Sequence, residues 1–357
     1  MKILMVTPRF PPDIGGIENV VLNVAEGLVK RGHEVYVLTT TKDRKGVGIS
    51  NLNGTMVERV FAFSPGNAYW FSTKLGKRVK KLASDFDIIH AHGYHAFPAI
   101  NAFFNKKDSK FVLSTYYHRN SHSWFRNLLL APYRIIARRM VNGSDLVICI
   151  SEAEKRLLLL DFEPANCSVI HVGTEIDDSE IPDMKRSNVI MVGRLEKYKN
   201  FDVGIEAVSK IDDLYMDIIG SGPEIDSLKD LVRLRGVTER VKFHGFLSEM
   251  EKNRKLAESM CLLTLSDYES FGIVIIEAAR SRVWTIASDI PSHSEIASVL
   301  EEGVLLVNNS EVGEIVDSIE AVRMMESIDF RPKTERFGWD YLIDKYIENY
   351  SAILSSG

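Results

Sequence analysis

The chain has 357 residues, of which 45% are hydrophobic and 26% are charged, a composition typical of soluble globular proteins. This length fits two domains of about 150 to 200 residues each, and no apolar run reaches the roughly 18 residues that would span a bilayer. The net charge of −5 does not indicate nucleic acid as a partner.

Apolar segments typical of strands alternate with helical patterns along the first 173 residues. The predicted strands are residues 2–7, 34–40, 88–91, 110–115, 146–150 and 168–171. Between the first two, apolar residues recur at spacings of three and four from Ile17 to Leu28, which predicts a helix that ends at Gly32. This alternation predicts a parallel sheet with helices on both faces.

A polar, acidic segment, residues 174–188, interrupts the alternation and is interpreted as a linker. The second half has predicted strands at residues 189–192, 215–219, 241–243, 261–265, 285–287 and 304–307, and predicted helices near residues 200–210, 224–235 and 273–280. The sequence therefore predicts an α/β protein with two Rossmann-like, doubly wound domains, residues 1–173 and 189–330, that face a cleft. Ligands of such sheets bind beyond the carboxyl ends of the strands, so the strand-to-helix turns hold the candidate site residues.

The two halves differ in charge. Residues 1–173 carry 23 Lys and Arg against 14 Asp and Glu, and the rest of the chain is acidic. A basic first half favours contact with anionic lipid or an anionic acceptor; alternatively, the halves attract each other across a cleft. Residues 124–139 mix bulky apolar and basic side chains, which is typical of a membrane-interface segment and equally of a core-facing helix with a basic outer face.

The cysteines and the N-terminal residues both favour the cytoplasm. Cys149, Cys167 and Cys261 lie far apart without metal or redox spacing, which indicates buried thiols in a reducing compartment. Residues 1–7 form a predicted strand that Pro8 ends too soon for a signal peptide. We expect a cytoplasmic protein, with peripheral binding to the inner face of the cell membrane as an option.

Two turns contain paired glycines ahead of a predicted helix. Gly15 and Gly16 would let the backbone approach a diphosphate at a helix N-terminus, although a plain tight turn explains them equally well. Their spacing is not the GxGxxG of dinucleotide-binding domains. The turn at residues 220–223, which contains Gly222, is a candidate for nucleotide contact but is by itself ordinary turn chemistry.

The first turn of the second half delivers two cations. Arg194 and Lys199 follow Gly193, and two cations five residues apart can bind a leaving diphosphate, one as a fork and one as a point charge. On this motif alone, a solvated basic loop is the better explanation.

His90 and His92 alternate along a predicted strand and therefore share one of its faces, where a metal site or a structural role is possible. Residues 85–87 have the Asp-x-Asp form of a metal-binding motif. They precede a strand instead of following it, so they lie at the wrong end of the sheet, and we expect no metal there.

The most informative segment runs from Glu269 to Glu277. A strand ends, a loop carries Glu269, and a helix that starts near Gly272 carries Glu277 among apolar residues. The amides of Gly272 and Ile273 would point at a phosphate. A carboxylate in an apolar helix is costly without partners, which favours a functional role for Glu277.

The order of these motifs resembles that of the retaining nucleotide-sugar glycosyltransferases of family 4, the group 1 glycosyltransferases. Seven residues, among them Phe271 and Gly272, lie between the two glutamates, which follow residues 15–18 and the Gly193 turn along nearly the whole chain. The resemblance implies the GT-B fold, no metal or other cofactor, retention of anomeric configuration, and a C-terminal helix within residues 331–357 that crosses back to the first domain.

The resemblance also implies roles for individual residues. The implied catalytic residues are Arg194, Lys199, Glu269 and His92. The implied donor-binding residues are Gly15, Gly16, Gly193, Gly222, Ser270, Phe271, Gly272, Ile273 and Glu277. His118, Arg119 and Glu18 are weaker candidates for acceptor contact. Within the family pattern, His92 lies near the donor sugar, Glu269 binds sugar hydroxyls, and Glu277 binds the ribose.

The chain departs from the family pattern at four positions. Asn200 stands where the family usually has Gly, and an asparagine tolerates the same left-handed backbone. Arg282 and Trp284 replace a Gly and a Pro after Glu277, and Arg280 replaces a small residue. We expect these three changes to affect packing or acceptor shape more than the reaction.

The sequence therefore predicts transfer of a hexose-type sugar from a UDP- or GDP-sugar to a hydroxyl of a glycan or lipid-linked acceptor. Two alternatives fit the same motifs. A nucleotide-sugar epimerase would consume the donor without an acceptor, and a non-catalytic sensor would bind the donor without consuming it.

Overall fold

The computed structural model describes residues 1–13, 15–65, 70–117, 131–174, 187–326 and 328–356. It divides into two compact units. The first comprises Met1–Gly173 together with Trp339–Gly357, and the second comprises Thr174–Gly338.

The first unit contains an eight-stranded sheet in the order β3-β4-β2-β1-β5-β6-β7-β8. Its strands are β1 (Lys2–Val6), β2 (Glu34–Thr41), β3 (Gly48–Leu52), β4 (Thr55–Phe61), β5 (Ile88–His92), β6 (Lys110–Ser114), β7 (Leu146–Cys149) and β8 (Cys167–Val169). All neighbouring strands are parallel except β3, which is antiparallel to β4. The parallel sheet was predicted, whereas the hairpin was not, because β3 is exposed and lacks apolar alternation. The feature of the sequence that indicates this hairpin is the Asn53-Gly54 pair at its turn, where both residues have positive φ.

Helices cover both faces of this sheet. They are α1 (Gly16–Lys30), α2 (Thr73–Leu82), α3 (Phe97–Asn105), α4 (Ala131–Asn142), α5 (Glu152–Leu159) and the final helix, here α13 (Trp339–Ser355). The apolar stripe of α1 packs with Ile343, Tyr346 and Tyr350 of α13 in one core cluster. Gly27 permits this close approach, since a Cβ there would overlap Ile343. The predicted return of the C-terminal helix to the first domain is confirmed.

The second unit contains a six-stranded parallel sheet in the order β11-β10-β9-β12-β13-β14. Its strands are β9 (Asn188–Val192), β10 (Tyr215–Ile219), β11 (Val241–Gly245), β12 (Cys261–Thr264), β13 (Trp284–Ser288) and β14 (Val304–Val307). Its helices are α6 (Phe201–Ser209), α7 (Ile225–Leu234), α8 (Glu249–Glu258), α9 (Ile273–Arg280), α10 (Pro291–Leu300), α11 (Val312–Arg323) and α12 (Arg331–Thr334). Because the strands are parallel, the turns after β9, β10 and β12 lie at the same edge of the sheet.

Helix α8 was not predicted from the sequence. It is mostly polar and buries only Leu256 fully, so it has no apolar stripe. Its N-terminus nevertheless carries a capping box, in which Ser248 and Glu251 each accept from the backbone amide of the other. No helix of the described ranges is long and apolar enough to cross a membrane.

Candidate active site

Lys199 lies over Gly193, the glycine that directly follows β9. Gly193 has a φ of 154°, and Cε of Lys199 lies 3.9 Å from the position that a Cβ on this glycine would take. Lys199 ends a 3-10 turn, and the next residue, Asn200, is left-handed with a φ of 52°. As predicted, asparagine adopts the backbone conformation that glycine would otherwise supply.

Lys199 forms an ion pair with Glu269, and the two side chains are 16% and 25% exposed. The loop that carries Glu269 is tied to the Lys199 turn by backbone and side-chain bonds. The Asp267 amide donates to the Tyr198 carbonyl at 2.8 Å, and the Asn200 side chain donates to Asp267 Oδ1 at 2.6 Å. Two loops that are distant in sequence therefore form one frame, which holds the ammonium against the carboxylate.

Arg194 is not part of this ion pair. Its side chain is 73% exposed, and its Nε atom lies 3.1 Å from Glu196 Oε1. The structure thus brings Lys199 and Glu269 together and leaves the Arg194 guanidinium mostly in solvent.

The N-terminus of α9 begins beside this frame. Gly272 caps the helix with a left-handed φ of 99°, and no side chain caps it. The first amides of a helix have no partner inside the helix and carry partial positive charge. Ser270 is exposed in the preceding loop, and Phe271 is buried with its ring centroid 5.8 Å from that of Phe337. The arrangement offers the amides of Gly272 and Ile273 to an anion.

His293 of α10 lies against Gly272 and was not singled out from the sequence. Its Cδ2 and Nε2 atoms lie 3.1 and 3.4 Å from the Cβ position of Gly272. Its Nδ1 atom donates to the Ser288 carbonyl at 3.1 Å, and its Nε2 atom has no hydrogen-bond partner. Burial lowers the pKa of His293, so the ring is neutral and Nε2 is an acceptor. A lone histidine in the first turn of a helix carries no pattern that would reveal this position.

Glu277 is largely shielded on α9 and is paired with a residue that the sequence did not reveal. Lys252 of α8 places its Nζ atom 2.9 Å from Glu277 Oε1 and 2.6 Å from Glu249 Oε2. Burial raises the pKa of Glu277, and the neighbouring ammonium opposes that rise. The predicted need of Glu277 for a partner is therefore met in part inside the protein.

The glycines after β10 are required by backbone packing. A Cβ on Gly220 would overlap the carbonyl of Gly193, and a Cβ on Gly222 would overlap that of Leu195. The Leu195 amide also donates to the Ser221 carbonyl at 3.0 Å. Gly222 thus keeps the turn after β10 in direct contact with the turn after β9.

The first helix of the chain begins differently. The Glu18 carboxylate occupies the space beside Gly15, where a Cβ would overlap it, and it pairs with Arg9 Nε at 2.6 Å. This ion pair lies at the edge of a cavity of about 440 Å³, which is also lined by Gly16, Trp70 and Tyr116 among others. Glu18 thus places a carboxylate beside the N-terminus of α1, where its charge opposes the binding of a phosphate.

Both strand histidines lie in the core of the first unit. His90 contacts Tyr350 Oη at 2.7 Å through Nδ1 and Ser114 Oγ at 2.8 Å through Nε2. His92 is fully buried, its Nδ1 atom lies 3.3 Å from Tyr116 Oη, and burial lowers its pKa to about 3. Tyr116, left-handed with a φ of 49°, contributes to the cavity lining. Because His92 is fully buried, contact with a sugar would require neighbouring groups to move.

The end of β6 is fixed by a second residue that the sequence did not reveal, Glu154. Its Oε1 atom accepts from Thr115 Oγ1 and the Tyr117 amide, both at 2.5 Å, and its Oε2 atom accepts from the Ile150 amide at 2.7 Å. The sequence feature that could have indicated Glu154 is its spacing of three residues from Ser151 at the start of α5, which is typical of a helix N-terminus. His118 and Arg119, the weaker acceptor candidates, lie outside the described residues.

Two family models match the chain in tandem. The model described as glycosyltransferase family 4 matches residues 14–178, and the model described as glycosyl transferases group 1 matches residues 173–336. The chain belongs to glycosyltransferase family 4. The resemblance to this family is thereby confirmed.

Relatives of this glycosyltransferase cover most of its length. It is 24% identical to the GDP-mannose:cellobiosyl-diphosphopolyprenol alpha-mannosyltransferase of Xanthomonas campestris, over 100% of this chain and 98% of that protein. It is 25% identical to a glycogen synthase of Mycobacterium tuberculosis, over 85% of this chain and 82% of that protein.

Solved structures show the same fold at low identity. Sucrose-phosphate synthase from Thermosynechococcus elongatus has a TM-score of 0.77 and 17% identity, with 100% of both chains covered. HepE from Anabaena in complex with UDP has a TM-score of 0.76 and 18% identity, with 99% of this chain and 100% of that chain covered. The predicted GT-B fold is confirmed.

Three of the four departures of this glycosyltransferase from its family pattern contact neighbouring residues of one stretch of the second unit. Arg280 donates to Thr334 Oγ1 at 2.9 Å, Arg282 pairs with Asp329 at 3.2 Å, and the Trp284 indole donates to the Glu326 carbonyl at 3.1 Å. Arg282 has a φ of 56°, so it adopts the left-handed backbone at the position where the family usually has glycine.

All three departures therefore bind one segment, residues 326–334 of the second unit. No group of three or more His, Cys, Asp or Glu side chains among the described residues could hold a metal ion.

Proposed function

We propose that this glycosyltransferase transfers a hexose from a UDP- or GDP-sugar to an acceptor hydroxyl, with retention of configuration and without a metal. The observation that carries the proposal is the Lys199–Glu269 ion pair beside the open N-terminus of α9. A cation and helix amides at one point suit a diphosphate, and a carboxylate beside them suits sugar hydroxyls.

The donor would be held along one edge of the second unit. Lys199 and the amides of Gly272 and Ile273 would bind the diphosphate, with Arg194 as a second cation that closes on it from solvent. Glu269 would accept from hydroxyls of the sugar, and Glu277 would accept from the ribose.

The proposed reaction forms a bond between the acceptor oxygen and the anomeric carbon as the bond from that carbon to the diphosphate oxygen breaks. Attack occurs on the face that the diphosphate leaves, so configuration is retained. The proton of the acceptor hydroxyl passes to the leaving phosphate. Lys199 and the helix amides stabilise the negative charge that grows on that group.

Two relatives support the two candidate bases. The Xanthomonas protein is named for GDP-mannose, whereas HepE was solved with UDP and with UDP-glucose. We therefore propose a hexose linked to either uridine or guanosine diphosphate as the donor.

The acceptor proposal rests on the first unit. The cavity beside Glu18 has an aromatic and polar lining suited to a glycan. On α4, Ile135 and Ile136 are exposed beside the basic residues Arg134 and Arg138, which suits an anionic lipid surface. A lipid-linked acceptor, as in the name of the Xanthomonas relative, fits this face, and we propose a cytoplasmic protein that binds the membrane peripherally.

The deciding experiment incubates the protein with UDP- and GDP-hexoses in EDTA, with and without glycan and polyprenyl-diphosphate-linked acceptors. Acceptor-dependent release of nucleotide and a product with the anomeric configuration of the donor are expected, as measured by NMR. Donor isomerisation without acceptor would instead establish an epimerase, and binding without turnover would establish a sensor. Loss of activity in EDTA that Mg²⁺ restores would overturn the metal-free reaction.

A further inference from the structure

Lys252 occupies an unusual position for a lysine. It reaches from α8 to α9, its side chain is only 13% exposed, and its ammonium bridges the carboxylates of Glu277 and Glu249. Glu277 is equally shielded at 13%, whereas Glu249 is 77% exposed. Lys252 is therefore the near-buried counter-ion of a near-buried carboxylate.

The bridge leaves hydrogen-bonding capacity on both partners. Glu277 uses Oε1 toward Lys252, and its Oε2 atom has no partner among the described residues. Lys252 has three N–H donors and uses two of them. One acceptor, Glu277 Oε2, and one N–H donor of Lys252 are thus available on two groups that are already in contact, since Lys252 Nζ lies 2.9 Å from the other carboxylate oxygen, Oε1.

A vicinal diol matches this arrangement. One hydroxyl can donate to the free carboxylate oxygen while the adjacent hydroxyl accepts from the ammonium. Both bonds involve an ionised group, and such bonds are shorter and stronger than neutral ones. A phosphate fits poorly, because two carboxylates already surround the ammonium.

We propose that Lys252 is a second ribose-binding residue, which donates to one hydroxyl of the nucleoside diol and keeps Glu277 ionised so that it accepts from the other. This inference rests on the proposed function, in which Glu277 binds the ribose of a nucleotide sugar.

The charge balance gives the proposal a pH dependence. Burial raises the pKa of Glu277, Lys252 lowers it, and Glu249 raises it. Around Lys252, burial opposes the charge while Glu277 and Glu249 favour it, and its pKa ends above the usual value. The ionised Glu277 is a stronger acceptor for a diol hydroxyl than the neutral acid, in which one oxygen becomes a donor. Affinity is therefore lost as pH falls through the pKa of Glu277, and removal of Lys252 moves that loss to higher pH.

The test is a comparison of Lys252→Met with Lys255→Met, a control on the same helix whose lysine pairs with Glu258 at 3.5 Å. Calorimetry measures the affinity for UDP and GDP and for their 2′-deoxy and 3′-deoxy forms between pH 5 and pH 8. Lys252→Met is expected to weaken nucleotide binding by about tenfold at pH 7. In this variant, removal of a ribose hydroxyl should cost much less affinity than it costs the wild type. The loss of affinity at acidic pH should also begin at a higher pH. Lys255→Met should behave as the wild type.

An equal deoxy penalty in Lys252→Met and wild type, or an unmoved acidic limb, would overturn the inference. If Lys252→Met does not fold, Lys252→Arg decides: it should keep the wild-type limb and a deoxy penalty, and a shifted limb would reject the proposal. Glu277→Gln separates the two levels. If the Glu277→Gln variant binds UDP and GDP as tightly as the wild type does, the proposed ribose role of Glu277 fails. If Glu277→Gln weakens binding but Lys252→Met has the affinity of the wild type, the inference about Lys252 alone fails.

Discussion

The two units begin a helix after glycine in similar ways, and only one of these helix ends is open. In the first unit, Gly15 precedes α1, and Glu18, two residues after the first helical residue, folds its carboxylate back to pair with Arg9. In the second unit, Gly272 precedes α9, and the corresponding position is Ile275, which is apolar and buried.

The difference shows that glycine at a helix start does not by itself make an anion site. The α1 end already has a carboxylate of its own first turn beside it, and a negative charge there suits the partial positive charge of the helix end. The first turn of α9 has no such carboxylate, and Glu269, in the loop before the helix, is held by Lys199. A single residue in the first turn separates the two outcomes.

The largest expected effect tests whether the open end is the donor site. Lys199→Met should reduce kcat/KM by about 100- to 1,000-fold, because a charge-stabilising donor to the leaving group is lost. Arg194→Met should cause a smaller loss, since its guanidinium lies mostly in solvent. Steady-state assays with Lys197→Met, an exposed lysine of the same 3-10 turn, provide the control. Full activity in an Arg194/Lys199 double variant would remove the basis of the donor site.

Acid should lower the stability of the first unit through its buried His92. His92 has its pKa lowered to about 3 in the folded first unit, against an unfolded value near 6.5. Between these values the unfolded chain binds the extra proton, so stability falls as pH drops through this window, by up to about 1.4 kcal/mol per pH unit. His92→Gln should therefore flatten the dependence of β5 amide protection on pH, measured by hydrogen exchange. An unchanged slope would contradict the assignment.

Removing the Glu18 charge from the N-terminus of α1 tests the comparison between the starts of α1 and α9. Glu18→Gln removes the charge that pairs with Arg9 and should lower the free energy of unfolding by about 1 to 3 kcal/mol. Affinity for the nucleotide sugar should not change, because the proposed donor site lies at α9. Urea unfolding and calorimetric titration measure the two quantities. A large gain or loss of donor affinity would show that the α1 end takes part in donor binding.

The smallest expected effect concerns Arg282, which has a left-handed backbone and pairs with Asp329. Arg282→Gly relieves the backbone cost of about 1 kcal/mol and loses an exposed ion pair worth about 0 to 1 kcal/mol. Arg282→Ala loses the pair and keeps the cost. The glycine variant should therefore be the more stable of the two by about 1 kcal/mol in urea unfolding, and equal stabilities would argue against strain at this position.

The sequence predicts what repeats along the chain and misses what depends on contacts between elements. The parallel strands, the return of the last helix and the Asn200 backbone follow from periodicity, a family pattern and asparagine's conformational tolerance. Helix α8 could not be predicted because it has no apolar stripe, and the position of Lys252 beside Glu277 could therefore not be predicted either.

The side-chain partners of the candidate site escape for a similar reason. The Glu18–Arg9 pair, the contact of His293 with Gly272 and the grip of Glu154 on the end of β6 each join residues whose spacing carries no periodic signal. The sequence supplies the charged side chains, but only the folded geometry shows that one carboxylate closes a helix end and another is held beside an open one.

The position of α13 has a consequence for the order of synthesis. Residues 339–355 complete the core of the first unit, with Ile343 against Gly27 and Tyr350 bonded to His90, yet they follow the whole second unit in sequence. On the ribosome, the second unit can close its core while the apolar stripe of α1 still lacks its covering helix. The first unit to emerge is therefore the last to finish, and it is the one that needs protection from aggregation in the nascent chain.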